Sequence, residues 1–571
     1  MSKRHKIFLF FSLLVLGGSL RAQNSKVFFT GLGRALVTHD ALDGNVLKND
    51  TATPNRGTEG YALFDMGVNF QPYDYLRAKA IIRLKSKFGS FYGQGASVEF
   101  RQVLIEGILA KKIKYAIGDI DVMMTPYTVF NSVDSSNAFE ADVFKIRREV
   151  VYYENFNVGN NWRVQGAKAS TAMLVKGTPA RIKFDLFGSR TRATNYSTLP
   201  DRFLVGASAN AQIVQGLRFG VHYTRFFELV KQTTGQTSTY GNDVLTGSLA
   251  LEKSTRTFLF RVKGEMGTSY FQRSITVDTS LSVHDYFVDA RAEIELKPAK
   301  LKWYGGYREV GAQFYSPAAQ TLRIDMTRAP AIFSNIQNNL VVRDQLLYDR
   351  TTQEALYNQT LLPTLMFYLP QYGNALPYGD ATPNRKGFVT GLTAGGTDQV
   401  VNASARLDLL TEIIGEGTSS LRHFQLLRAG TFLNLHKAFH FERLLVLSLG
   451  GKLENTSRVA PAHVSLQTRQ ADLGLTVETI RNLDIIAGYK SLFSDGNEYL
   501  ATRNALNQIV DFSLFQIDNL QQTLSGGIRY RFSNKSFFTV QANYTNNANH
   551  LDNDTQSYRF SQYFVMYTVG F

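Results

Sequence analysis

The 571 residues contain no cysteine, so no disulfide, thiolate metal cluster, thiol nucleophile or acylated lipoprotein anchor is available. Proline is scarce, 13 in all, and no Pro/Ser-rich hinge or shift of composition divides the chain. Beyond residue 22 no apolar run approaches the roughly 20 residues that a transmembrane helix needs. There is no G-x-S-x-G elbow and no phosphate-binding loop. These absences remove helical membrane proteins, disulfide scaffolds and the commoner hydrolases and nucleotide enzymes.

What is present begins with a basic, then apolar, then small-residue stretch. Lys3, Arg4 and Lys6 precede the run Ile7–Leu16, and Gly17–Ala22 leads to Gln23. That order predicts a secretory signal over 1–22, cleaved after Ala22. The formal charge of +15 then falls to about +11. An exported basic chain does not meet nucleic acid; the excess suits anionic lipopolysaccharide or an aqueous lumen.

Period-two alternation dominates the remainder. In Asp285–Leu296, Phe287, Asp289, Arg291, Glu293 and Glu295 share one face, and Tyr286, Val288, Ala290, Ala292, Ile294 and Leu296 the other. Val401–Leu409 sets Asn402, Ser404, Arg406 and Asp408 against apolar neighbours. The strands read as about 10 to 14 residues, near the tilted span of a bilayer. Ten short connections alternate with long polar ones. The short ones are Gln71–Tyr75, Ala110–Lys112, Lys176–Ala180, Val214–Gly216, Lys253–Arg256, Lys297–Lys300, Gly395–Gln399, His436–Glu442, Ile480–Asn482 and Ser533–Lys535. The long ones include Val37–Thr58, Pro126–Arg148, Asp495–Gln521 and Asn547–Gln556. With short turns periplasmic and long loops outside, the reading is an all-β, single up-and-down transmembrane β-barrel over 23–571, of about 18 to 22 antiparallel strands with 22 the best count. Val150–Phe156 reads as a loop hairpin or as strands of the wall.

The last strand puts Tyr563, Val565, Tyr567, Val569 and Phe571 on one face. This resembles the terminal signature of proteins inserted by the bacterial barrel-assembly machinery. With Ala22-Gln23 and the Tyr/Asn-rich alternating strands, the whole chain resembles large porin-like outer-membrane barrels of Bacteroidota type. The resemblance implies architecture and location, not a substrate. The chain does not look like a TonB-dependent receptor, since Lys26–Leu36 already reads as a first strand.

Candidate functional residues fall into three groups. Arg77, Lys79, Arg83, Lys85 and Lys87 share a parity opposite Ala78, Ala80, Ile82 and Leu84. They form either a basic track that concentrates anions in the lumen or cations paired with acids such as Glu99 or Asp119. Ala52-Thr53-Pro54-Asn55-Arg56 recurs as Ala381-Thr382-Pro383-Asn384-Arg385. The repeat is either shared turn chemistry or a matched pair at the mouth, where Asn55, Arg56, Asn384 and Arg385 would meet a polar ligand. A long connection, about Tyr315–Asn384, is of functional length. Within it Phe333–Tyr348 reads as a short helix with Ile336, Leu340, Val341, Leu346 and Leu347 as packing residues. Constriction or cap comes first for this segment, partner docking second.

His436 and His440 flank a turn and read as surface residues, not metal ligands. Asp119 and Asp121 suit a structural ion pair better than a catalytic dyad. Asp552-Asn553-Asp554 lacks the spacing of a calcium loop. No cofactor, metal site or catalytic residue is expected. The leading function is an outer-membrane channel for small polar solutes, anions among them. The alternatives are a non-conducting scaffold in a secretion or surface assembly, and, weakest, an outer-membrane hydrolase. Expected partners are outer-membrane lipid and lipopolysaccharide, the assembly machinery, small polar solutes, and surface or periplasmic proteins.

Overall fold

The computed structural model describes residues 26–45, 55–89, 95–133, 138–195, 199–229, 239–274, 280–325, 327–328, 346–504, 506, 508–551 and 557–571. The predicted signal, Ala52–Pro54, Ile336, Leu340, Val341 and Asp552–Asp554 lie outside these.

Twenty-two strands run from β1 (Val27–Gly44) to β22 (Tyr558–Gly570) in one antiparallel sheet, each pairing with its neighbours in sequence. β22 pairs back to β1 from Gly570↔Leu32 to Tyr558↔Gly44, so the sheet closes and leaves no edge. All ten predicted short turns fall between consecutive strands at one end of the barrel. Alternation explains the wall. In β12 (Ser280–Leu296), Phe287, Asp289 and Glu293 are buried towards the interior, while Tyr286, Ile294 and Leu296 are exposed outside. A surface so apolar is stable only against lipid. Aromatic pairs ring the short-turn rim, as at Tyr73–Tyr75 (5.2 Å) and Phe439–Phe441 (5.6 Å), where interfacial girdles sit in membrane barrels.

In β22, Phe564 and Met566 are buried, and Tyr563, Val565 and Tyr567 point outward with exposed Phe571. Phe571 exchanges both backbone hydrogen bonds with Gly31 (3.0 and 3.1 Å) and stacks on Phe64 of β2 (Arg56–Tyr73).

Three sequence expectations are corrected. Asp495–Gln521 is not a loop: β19 (Leu483–Arg503) and β20 (Ile509–Ser533) run through it. At 25 residues β20 extends about 80 Å, far beyond a 30 Å hydrocarbon core. Outside the bilayer neither face has to be apolar, so a strand there loses the alternation that marks it. Val37–Thr58 shortens for the same reason, with β1 reaching Gly44 and β2 starting at Arg56. Val150–Phe156 is neither hairpin nor wall: residues up to Glu154 belong to α1 (Asp142–Glu154). Its β-branched and aromatic residues favour strands locally, but Val143, Ile146, Val150 and Glu154 recur at helical spacing and are buried.

Candidate functional site: a constriction built from two loops

Two outer connections turn into the barrel. The third, residues 123–161, carries α1. The seventh, residues 311–384, contains the helical turns α2 (Pro317–Gln320) and α3 (Asp349–Thr352) and the 3-10 turns Glu354–Leu356, Pro370–Tyr372 and Gly379–Ala381.

Thirteen residues make α1 about 20 Å long, and it runs as a chord between the wall at β19 and the wall at β1 and β2. Just before it, Phe139 packs on Phe432 of β16 (His423–Asn434), centroids 5.2 Å apart. Glu140 accepts from Lys490 Nζ and Arg148 Nε, both at 2.6 Å. Burial pushes its carboxyl up, but Lys490 and Arg148 outweigh this and hold it below the usual carboxylate range. Beneath, Gly474 of β18 (Val464–Ile480) pairs with Gly488 of β19. A Cβ on Gly474 would stand 2.1 Å from the Ala141 Cβ, and one on Gly488 2.7 Å from Val143. This glycine pair is the recess that admits the helix.

At the other end Glu154 accepts from Arg34 Nη1 (2.7 Å) and Tyr61 Oη (2.6 Å). Burial again opposes ionisation, and Arg34, Tyr61 and Lys85 together hold the carboxyl low. Tyr153 Oη donates to Asp65, which also takes a bidentate pair from Arg83 (2.7 and 2.8 Å) and an ion pair from Arg101. Burial, then the Asp65 contact, pushes the Tyr153 hydroxyl up to about 12.

The seventh loop crosses the other way. Tyr315 packs on Phe271, Trp162 Nε1 donates to the Ala318 carbonyl (3.0 Å), and Asn242 donates to the Tyr315 carbonyl (2.9 Å). Further on, Lys452 Nζ donates to the Tyr372 carbonyl (2.6 Å), and Asn374 Nδ2 to Glu498 (2.6 Å). Leu346, Leu347 and Tyr348 are buried.

Where Gly379–Ala381 meets the wall, one carboxylate gathers three arginines. Asp380 lies 2.8 Å from Arg291, 2.9 Å from Arg308 and 3.2 Å from Arg406. Asp289 and Asp408 balance them, and Tyr127 of the third loop donates to Asp289. Burial pushes the Asp380 carboxyl up, but Arg308, Arg291 and Arg406 hold it well below the usual range. The cluster divides the lumen. On the outer side a cavity of about 310 Å³ lies between the two loops. On the periplasmic side two cavities of about 760 Å³ each share Lys183 and Asn210.

The predicted residues are distributed unevenly around this constriction. Of the five cations, Arg83 and Lys85 reach Asp65, Glu154 and Glu354, and Arg77 reaches Glu106 (3.4 Å) and Asn69 (2.8 Å). Between β3 (Leu76–Lys87) and β4 (Ala96–Leu109) Arg83 stands opposite Glu99, but it pairs with Asp65, opposite it on β2, instead. Glu99 is exposed, and Asp119 accepts from the Val103 amide. Lys79 has no acid within 4 Å among the described residues. Lys87 is exposed.

The repeat copies are unlike. Asn55, just before β2, and Arg56, its first residue, are exposed. Asn384 and Arg385 are buried at the start of β14 (Arg385–Gly395), nearly across the ring. Asn384, at φ +59°, accepts from the Ile413 and Ile414 amides, and Arg385 donates to the Ala375 and Asn374 carbonyls. They tie down the seventh loop. Asp121 pairs with Arg163, and His436 contacts the Leu445 carbonyl. No group of three His, Asp or Glu that could hold a metal occurs among the described residues.

No family model matches the chain, and no curated protein does. Solved structures align along its length. The fold is a closed antiparallel barrel of 22 strands. Acinetobacter baumannii OccAB2 is 9% identical over 95% of this chain and 98% of that one, TM-score 0.35. Pseudomonas aeruginosa OccK11 (OpdR) is 9% identical over 95% and 96%, TM-score 0.35. A BenF-like porin from Pseudomonas fluorescens is 7% identical over 96% and 99%, TM-score 0.35. These are likenesses of fold alone; the strand count and closure rest on this chain's own pairing.

Proposed function

We propose that the chain is an outer-membrane channel for small polar solutes, anions among them, of the porin-like Bacteroidota type and not an enzyme. The observation that carries this reading is the division of a polar lumen, by loops instead of a separate domain, into an outer cavity and a periplasmic vestibule. The septum is held by buried ion pairs together with apolar packing, and a polar solute competes for the former by offering replacement contacts. Lys79, with Arg77 and Lys85 beside it, supplies the anion bias on one wall. The stripe Tyr563, Val565, Tyr567, Val569 and Phe571 serves as the strip by which the assembly machinery takes the chain.

Purified protein in planar bilayers is expected to conduct in small steps with mild anion preference. Neutralising Arg77 and Lys79 to Gln is expected to lower that preference; Arg83 and Lys85 are left intact because they are pinned to Asp65 and to Glu154 and Glu354. A silent barrel overturns the reading. It would favour a scaffold whose docking element is the β19–β20 hairpin, which rises beyond the strands flanking it.

A further inference from the structure

The longest strand ends without a neighbour on one side. β20 loses β21 (Ser536–Asn549) at Asn519↔Asn549, and the last bond between them is from the His550 amide to the Asp518 carbonyl (2.8 Å). Further out β20 still pairs with β19, as at Gln516↔Asn497, Leu514↔Tyr499 and Phe512↔Ala501. Alternate residues of a strand aim their backbone groups to the same side. The Asp518 carbonyl therefore fixes which groups face away from β19: the N–H and C=O of Gln516, Leu514 and Phe512. Among the described residues nothing pairs with them except the Asp511 carboxylate, which accepts from the Phe512 amide (2.8 Å). The other edge of the same hairpin is closed. There Arg422 Nη2 donates to the Tyr499 carbonyl (3.0 Å), and its Nε lies 3.0 Å from Glu498.

An open edge is a template for a further strand, and proteins usually blunt it with Lys, Pro or a very short strand. None of these applies here. Residues 509–519 contain no Lys, Arg or Pro, and two acids, Asp511 and Asp518. Val510 and Leu514 are 60% and 51% exposed on a part of the strand that stands outside the bilayer. The hairpin is nonetheless braced. Arg503 reaches Glu416 (3.5 Å), and a Cβ on Gly417 would stand 2.6 Å from the Phe512 ring. A second copy does not fit the edge. Two copies in one bilayer are related by an axis along the membrane normal, so their β20 strands run the same way. A parallel ladder sets each residue between two of its partner's and has no two-fold along its strands. The fitting occupant is a separate extended segment. It needs apolar residues at alternate positions to cover Val510 and Leu514, and a basic residue to answer Asp511 or Asp518.

We propose that residues 512–516 of β20 are a strand-addition site, where an extended, basic, alternately apolar segment of another protein outside the cell takes the place that β21 leaves. This goes beyond the channel reading and holds whether or not the barrel conducts.

The full chain in detergent is titrated into the fluorescein-labelled peptide acetyl-KTVTVTVTVK-amide, and polarisation is read. Saturable binding is expected. Two N-methylated forms, one methylated at the valines and one at the threonines, keep every side chain and block one peptide edge each. One of the two should bind about tenfold or more weakly, because several backbone hydrogen bonds are lost together. Leu514→Lys sets a cation on the strand and should weaken the parent peptide about three- to tenfold. Val459→Lys, at an exposed residue away from β20, should leave binding unchanged. Absence of saturable binding, both methylated forms binding like the parent peptide, or Leu514→Lys without effect overturns the proposal. A dimer in lipid nanodiscs that Leu514→Lys dissolves would give the edge to a second copy and overturns it too.

Discussion

At the scale of single residues the septum turns on Asp380. Replacing it by Asn leaves Arg291, Arg308 and Arg406 converging without their shared anion, in a place where Arg308 is 1% exposed. Breaking a buried pair from one side costs about 3–5 kcal/mol. Asp380→Asn is therefore expected to release the seventh loop, read as faster proteolysis within 311–384 and larger single-channel steps. The pH dependence has a definite sign. Asp380, Glu140 and Glu154 all have folded pKa values depressed below the ordinary carboxylate range. Their stabilisation is complete above the unfolded value, about 4, and is lost as pH falls through the lower folded values. Both loops should stay docked through mild acid and loosen only below about pH 4, seen as conductance rising there; a rise between pH 7 and 5 contradicts this. Asp380 was legible only as the residue beside the repeated Ala-Thr-Pro-Asn-Arg, and its partners only as polar positions of alternating strands. What joins them is tertiary: β12, β15 (Val401–Thr411) and a loop distant in sequence. The signal for pairing lies in three-dimensional proximity, which a single chain read in order does not carry.

At the scale of elements, α1 obstructs the lumen because it is rigid. Ile146→Pro removes a backbone donor in mid-helix and costs about 3 kcal/mol or more. Gly474→Val fills the recess that seats the helix, its Cβ falling within 2.1 Å of Ala141. Either change is expected to raise conductance several-fold in bilayers while the barrel keeps its β circular dichroism. The elements of the wall were readable, since lipid on one side and polar lumen on the other force period two, and Gly, Asn and Lys mark the short turns. The elements inside were not. α1 scores as a strand through Val150, Val151, Tyr152 and Tyr153, and becomes a helix because isolated strands inside a lumen would bury unpaired backbone. The tips of β19 and β20 were missed for the opposite reason, since no membrane imposes alternation on them.

At the scale of the molecule, closure depends on a few residues near the inner rim. A Cβ on Gly31 would come within 2.3 Å of the Phe571 ring and 2.6 Å of the Asp65 carbonyl. Gly31→Val is expected to lower the fraction of chain that migrates as a compact, heat-modifiable band on unboiled gels. Phe571→Ala keeps the backbone bonds to Gly31 and loses the ring; it should reduce insertion in cells more than stability once folded.

The helix that narrows the lumen has one more effect. Its N-terminal approach holds to β16 and β19, and its C-terminal end to β1, β2 and β4. The join between β22 and β1 lies between those anchorages. α1 is thus a clasp fastened across the one place where the first and last strands meet. A lateral gap opened there towards lipid would have to tear out Glu140 or Glu154 as well as unzip the pair, so a ligand that unseats the helix from within would also loosen the wall.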